Sequence, residues 1–361
     1  TQRAVADALW ALFDDPDLLP PFGARELMRH LGRTPQYLRL LPLIGRPVRA
    51  LLDRHGLSSF TPLRTWLDAV CQITVQAGVD EAEAPFALSA MDYYFRGTRH
   101  VHGGIGQLAR AMCGAIERGG GEVRLSEQVR AIEPHGDLWR VRTRRGELLT
   151  RNVVANLLPQ SLRALASIPV SENARLDELA TRVEQGWGAA MLYLAIDRAA
   201  PLRPEAHHLE LVADPSQPML EGNHLFCSIS GLDEHRAPDG ARTVTISTHV
   251  PMNTEGDRAA YVTRVQSKMR ETLARLAPEL AEHTRLEMPA SPRTFERFTG
   301  RHLGFVGGIP RRAGLVNYTG MFPSPIRPGL YLVGDTVFPG QSTLATAIGG
   351  CKLARHLRPA A

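Results

Sequence analysis

Residues 329–357 constrain this chain more than any other stretch. Leu330 to Val333 form a short apolar run that ends on Gly334-Asp335. A turn carrying Pro339-Gly340-Gln341 follows, and a helix starts near Ser342 or Thr343 and runs to about Leu357. A short apolar strand that enters a tight turn and opens a helix belongs in an α/β layer, because the strand needs neighbours and the helix needs a sheet face to cover. Gly334 lets backbone approach a bound molecule closely. Asp335 stands at the strand's C-terminal end, where a carboxylate accepts hydrogen bonds from hydroxyl groups. The N–H groups of the helix that follows point back toward the same place, with the positive end of the helix dipole. On spacing alone, an ordinary βα turn with a capping Asp fits equally well.

The rest of the chain changes character along its length. Val5, Leu9, Leu12 and Phe13 share one helical face, and Pro16 ends that helix. Between 35 and 54, Leu38, Leu40, Leu41, Leu43, Ile44, Leu51 and Leu52 are interleaved with Arg39, Arg46, Arg49 and Arg54, with breaks at Pro42 and Pro47. A long helix is predicted over 62–76, so the first hundred residues read as a helical lobe. Ile105, Leu108, Ala109, Met112 and Ile116 then form a helical stripe that Gly119-Gly120-Gly121 brings to a stop. Short strands are predicted at 122–125, 128–133, 138–143 and 147–156. Residues 188–196 are a continuous apolar run, and Leu225, Cys227, Ile229 and then Val244, Ile246, Thr248, Val250 alternate with the period of a sheet that has one wet face. Val262, Val265, Met269, Leu273 and Leu276 lie on one face of a helix that Asp257 is placed to cap.

Composition excludes several classes of function. The formal net charge is +5. The excess is carried by scattered arginines, and no zinc-finger, RNA-recognition or basic-zipper pattern accompanies it, so nucleic acid is not an expected partner. Cys71, Cys113, Cys227 and Cys351 are far apart with no Cys-x-x-Cys, which argues against a metal site or disulfide framework and for a reducing, cytoplasmic setting. No run of about 18 apolar residues predicts a membrane-spanning helix. P-loop, G-x-S-x-G and H-E-x-x-H patterns are absent. His207 and His208 are adjacent, and adjacent strand residues point to opposite faces, so they make a poor metal pair.

A second glycine motif stands at His100-Val-His-Gly103-Gly104-Ile-Gly106, entering the 105–118 helix. It is not a dinucleotide fingerprint, since position 109 is Ala and no clear strand precedes it. His100 and His102 are tempting as acid or base, but no partner for them is visible in the sequence.

Together, the Gly-Leu-Tyr-Leu-Val-Gly-Asp segment with its Phe-Pro-Gly-Gln run and the internal Gly-Gly motif followed by Gly-Glu-Val-Arg-Leu resemble the carotenoid isomerase and phytoene desaturase family of FAD-dependent enzymes. That family lies within the flavin amine oxidase-like superfamily. Phe-Pro-Gly-Gln looks closest to the isomerase branch, desaturases tending to His-Pro-Gly there. The resemblance covers roughly residues 85–361 and, more loosely, the helical lobe. It implies that Asp335 meets the ribityl or pyrophosphate part of FAD, that Gly334 allows its approach, and that Gly340, Gln341, Thr343 and Leu344 border the isoalloxazine. Gly103 and Gly104 are implied contacts beside the flavin, and Val129 meets the adenine through its backbone. No residue is singled out for catalysis, and no metal is implied.

The fold so implied is α/β, a discontinuous and incomplete Rossmann-like FAD-binding domain with a mixed-sheet substrate domain and an N-terminal helical lobe. The expected divisions are 1–99 for the lobe, 100–165 and 291–361 for the FAD-binding domain, and 166–290 for the substrate domain. Members of the family open with a strand, a G-x-G-x-x-G turn and a helix. Nothing here matches that opening, so the expectation is of a chain without its first βαβ unit. The implied substrate is a long apolar polyene, which a protein sitting peripherally on a membrane would collect most directly; the Leu- and Arg-rich stretch 35–54 is the expected contact. A flavin amine oxidase-like enzyme with another substrate is the alternative, Phe338 and Tyr318 being candidates for its aromatic pair. A truncated, non-catalytic fragment is another.

Overall fold

The structure is a computed structural model that describes residues 1–358 apart from 21, 98, 203–206, 235 and 323. The strands among the described residues are, in chain order, β1 (Val129–His135), β2 (Leu138–Thr143), β3 (Glu147–Thr150), β4 (Val153–Ala155), β5 (Trp187–Ile196), β6 (His208–Val212), β7 (His224–Ile229), β8 (Arg242–Pro251), β9 (Thr284–Ala290) and β10 (Leu330–Leu332). The chain divides into two compact units, one of residues 1–97, 129–187 and 305–361, the other of 98–128 and 188–304.

The first unit opens with helices Gln2–Phe13, Ala24–Gly32, Thr34–Leu38, Val48–Arg54, Thr61–Thr74 and Ala84–Ala90. Apart from Ala24–Gly32, which buries none of its residues, these helices close on one core that includes Val5, Leu40, Leu43, Leu51, Leu67 and Leu88. Burying each such side chain contributes about 1.5–3 kcal/mol. In the stretch 35–54, therefore, Leu40, Leu43, Leu51 and Leu52 are core, and only Leu38 and Leu41 keep large exposed surfaces. The unit's sheets are small. β1, β2 and β3 form an antiparallel meander, and β4 pairs in parallel with β10 in the register Val153 with Leu330, Val154 with Tyr331 and Ala155 with Leu332. The Trp139 indole on β2 donates to the Pro328 carbonyl at 2.9 Å and ties the meander to the approach of β10. The strand expected over 147–156 is broken at residues 151–152, so that β3 stays with the meander while β4 joins β10.

The second unit is a five-stranded sheet in the order β6-β7-β8-β5-β9, with antiparallel pairings of β6 with β7, β7 with β8 and β5 with β9. The alternation seen at 244–250 is the burial alternation of β8. The helix Arg258–Leu276 lays Val262, Val265, Met269 and Leu273 into that sheet's core, and the Asp257 carboxylate caps it by accepting from the Ala259 and Ala260 N–H groups.

Two local expectations change. Residues 122–125 are not a strand, since no neighbouring strand takes their backbone groups, and Leu125 is exposed. The helix Gly106–Arg118 forms where the stripe predicts it, yet none of its residues is buried. Among the described residues no helix is long and apolar enough to cross a membrane, and no cluster of His, Cys, Asp and Glu could hold a metal ion.

Candidate functional site

The β4–β10 pair brings two chain ends to one point. Gly329 O accepts from Val153 N at 2.8 Å, and Ala155 O accepts from Val333 N at 2.9 Å, so both strands finish together at Asn156 and Gly334. Gly334 has φ +111, and a Cβ there would run into the Asn156 side-chain oxygen. The glycine thus lets a neighbouring protein side chain approach, as well as any ligand. Asp335 follows, half-buried, with Thr336 beneath it; the Thr336 hydroxyl oxygen is buried and has no hydrogen-bond partner.

A second strand of backbone supports Asp335. Gly308 has φ +75, and a Cβ on it would overlap the Asp335 carbonyl. Its neighbour Gly307, φ +73, is pressed against the Gln76 amide in the same way. Gln76 is buried and holds a left-handed backbone, φ +61, which is unusual for a residue with a side chain. The Trp187 indole donates to its carbonyl at 3.0 Å, while its side-chain oxygen has no partner.

The turn 338–341 is held from behind. Arg311 donates to the Pro339 carbonyl at 2.7 Å, the Gln341 amide donates to Thr74 O, and Lys352 lies 4.7 Å above the Phe338 ring. Burial pulls the Lys352 ammonium down to about 8. Helix Thr343–Leu357 then starts from Ser342, whose hydroxyl accepts from Ala345 N at 3.1 Å. Thr343 and Leu344 are exposed, and their N–H groups, in the first turn, have no intrahelical carbonyl to donate to. So Gly334, Asp335, Gly340, Gln341, Thr343 and Leu344 run along one segment of the first unit. Val129 lies in the same unit at the start of β1, paired with Thr143 beside a bulge.

Gly103 and Gly104 lie in the second unit, in a different environment. The Gly103 N–H donates to Glu234 at 2.7 Å, and a Cβ on Gly104 would stand 3.3 Å from the Arg236 guanidinium. Glu234 is nearly fully buried and also accepts from Gly231 N at 2.7 Å, Arg236 at 2.5 Å and His100 at 2.9 Å. Burial raises this carboxyl, but the four hydrogen bonds outweigh burial and bring it down to about 2. His100, which has no partner visible in the sequence, is thus clamped to Glu234 and stacked on His207 at 4.6 Å. His102 stays exposed, 3.5 Å from Asp233.

Phe338 and Tyr318 are spent on separate partners. Tyr318 donates its hydroxyl to the buried Glu83 and packs on Phe86 at 5.7 Å, while Phe338 faces Lys352. A cavity of about 520 Å³ lies among Arg3, Asp7, Arg33, Gln36 and Arg39, and none of the flavin contacts expected from the sequence lines it. Sequence reasoning missed Gln76, Gly308 and Arg311. Only the Gly307-Gly308 doublet carried a signal, as adjacent glycines often mark close backbone approach.

The model of the flavin containing amine oxidoreductase family matches residues 20–355. A chloroplastic prolycopene isomerase of Arabidopsis thaliana is 26% identical over 317 residues, covering 82% of this chain and 51% of that protein. A 4,4'-diapophytoene desaturase (4,4'-diapolycopene-forming) of Methylomonas sp is 26% identical over 247 residues, covering 63% and 48%. The chain thus spans about half the length of the curated relatives it matches. Among solved structures, an oxidoreductase from Methanosarcina mazei superposes with a TM-score of 0.62 at 17% identity, covering 96% of this chain and 75% of that one. At that identity the likeness is one of fold.

Proposed function

We propose a reading that proceeds from one premise: this chain belongs to the flavin containing amine oxidoreductase family, whose cofactor is FAD. On that premise it is a flavin-dependent oxidoreductase acting on a long apolar polyene. The kind of substrate is supported by the names of its relatives, a prolycopene isomerase and a diapophytoene desaturase. When bound, FAD would supply the redox chemistry, serving either desaturation of the polyene or its cis–trans conversion without net oxidation.

The single observation that carries the reading is that one glycine pair braces both the β10 tip and the turn into helix Thr343–Leu357, Gly308 lying against the Asp335 carbonyl and Gly307 beside the Gln341 side-chain oxygen. Half-buried Asp335 offers an acceptor for the hydroxyls of the ribityl chain. The buried Thr336 hydroxyl lacks a partner, and Thr343 and Leu344, whose first-turn N–H groups have no intrahelical acceptor, are exposed residues. The residues present therefore fit a flavin. Gly340 and Gln341 would border its ring, the helix N-terminus would favour negative charge there, and Gly334 would admit the chain of the cofactor. Val129 is the remaining proposed contact in this unit. The redox chemistry belongs to the cofactor, and the residues named here would bind it, orient it and exclude water.

A lipid surface would suit such a substrate. Helix Ala24–Gly32 exposes Leu27, Met28 and Leu31, and Leu38 and Leu41 are exposed nearby in sequence, alongside Arg25, Arg29, Arg33 and Arg39. Apolar side chains among arginines fit the boundary between acyl chains and anionic headgroups. We place the membrane contact on these residues, since the core claims most leucines of 35–54.

The test is titration of the purified chain with FAD, followed by quenching of flavin fluorescence, then incubation with cis-polyenes and with amines. The expected result is saturable quenching, at least tenfold weaker in Asp335→Asn, with conversion of polyene only. Unquenched flavin would sink the flavin site, and turnover of amines alone would sink the substrate.

A further inference from the structure

We propose that Arg311 is a positioning residue that holds the turn 338–341, and with it the start of helix Thr343–Leu357, in place for the flavin ring. The inference rests on the flavin reading above and deepens it. Arg311 is only 7% exposed, and its guanidinium donates to the Pro339 carbonyl at 2.7 Å. Gly340 is fitted to it, since a Cβ at that position would overlap the same guanidinium nitrogen. The turn residue and the arginine are thus complementary in shape as well as in hydrogen bonding.

The arginine cannot drift, because its own backbone is fixed on both sides. Its N–H donates to Val75 O and its carbonyl accepts from Glu83 N, each at 2.9 Å. Its guanidinium carbon stands 5.2 Å over the Phe86 ring. Behind it lies Glu83, fully buried, accepting from Gly45 N at 3.0 Å, Phe86 N at 3.3 Å and the Tyr318 hydroxyl. Burial, and after it the nearby Arg182, draw the guanidinium down to about 10, while Glu83 and Tyr318 act the other way, so it stays charged at neutral pH.

A buried cation is costly to desolvate, and one that serves packing alone is commonly replaced by an apolar side chain of similar size with little loss. A buried cation that donates to one turn carbonyl, and against which a glycine is cut away, instead fixes where that turn sits. Hydrogen bonds from charged donors are stronger than neutral ones, which suits a single anchoring contact.

The experiment compares the full chain with Arg311→Met and Arg311→Lys. Amide hydrogen exchange over 340–344 is measured without flavin, and FAD affinity by fluorescence quenching. The expected result is exchange at least tenfold faster in Arg311→Met, with FAD bound at least tenfold more weakly and with other helices exchanging as in the parent. Arg311→Lys, which keeps a donor but loses the planar fork, should recover part of both. Exchange and affinity within twofold of the parent in Arg311→Met would overturn the inference. If Arg311→Met does not fold, the same comparison on Arg311→Lys decides, with unchanged values again overturning it. A parent chain that fails to quench flavin, yet shows the exchange difference, would separate failure of the flavin reading from failure of the anchor.

Discussion

Replacing Gly308 with Ala tests how firmly the β10 tip is held. Two costs add at this position. The backbone at φ +75 is left-handed, which costs a residue with a Cβ about 1–2 kcal/mol. The new methyl would also overlap the Asp335 carbonyl, which is backbone and cannot swing aside as a side chain can; overpacking of this kind costs about 1–3 kcal/mol. The total is about 2–5 kcal/mol, and at about 2–4 °C per kcal/mol for a domain of this size the melting midpoint should fall by about 4–20 °C. Two other glycines separate the terms. Gly56, φ +67 with nothing within 4 Å, carries the backbone cost alone. Gly320, with nothing within 4 Å and no left-handed φ, carries neither. Thermal melts of the three alanine variants should therefore rank Gly308 well below Gly56, and Gly56 below Gly320. FAD affinity should fall only for Gly308→Ala, through displacement of Asp335. A Gly308→Ala protein that melts with Gly56→Ala would refute the claim that the 305–311 segment braces Asp335.

Two further predictions come from other parts of the molecule. Glu234 is held below an ordinary 4.5, at about 2, so its interactions stabilise the folded state above about pH 4.5 and are lost as pH falls toward 2. Melting midpoints measured from pH 6 to pH 2 should show the parent well above Glu234→Gln at the start and converging with it in acid; parallel curves would refute the clamp on Gly103 and His100. In sedimentation with anionic vesicles at low salt, the parent should pellet while the Leu27→Glu, Leu31→Glu double variant stays in the supernatant, with unchanged melting because both leucines are exposed. Parent protein that stays in the supernatant would remove the lipid surface from the proposal.

Local pattern decided a good deal of this protein. The strand, Gly-Asp turn and helix at residues 330–357, the Asp257 cap, the alternation of β8 and the helical start all follow from interactions between near neighbours, which periodicity and capping chemistry report directly. The wording of the C-terminal segment and the Gly-Gly motif also carried the resemblance with which the family match agrees. What only the tertiary structure decided are the polar contacts between distant residues. Arg311 with Pro339, Glu83 with Tyr318, and Glu234 with both Gly103 and His100 are separated by 28 to 235 positions. In the sequence each charged member looks like one more solvated surface residue. Burial converts it into a fixed donor or acceptor, because a charge withdrawn from water must find its partners within the fold. The same holds for the stripe on Gly106–Arg118: periodicity reveals that one side of a helix is apolar, while the packing of the whole chain determines whether anything lies against it.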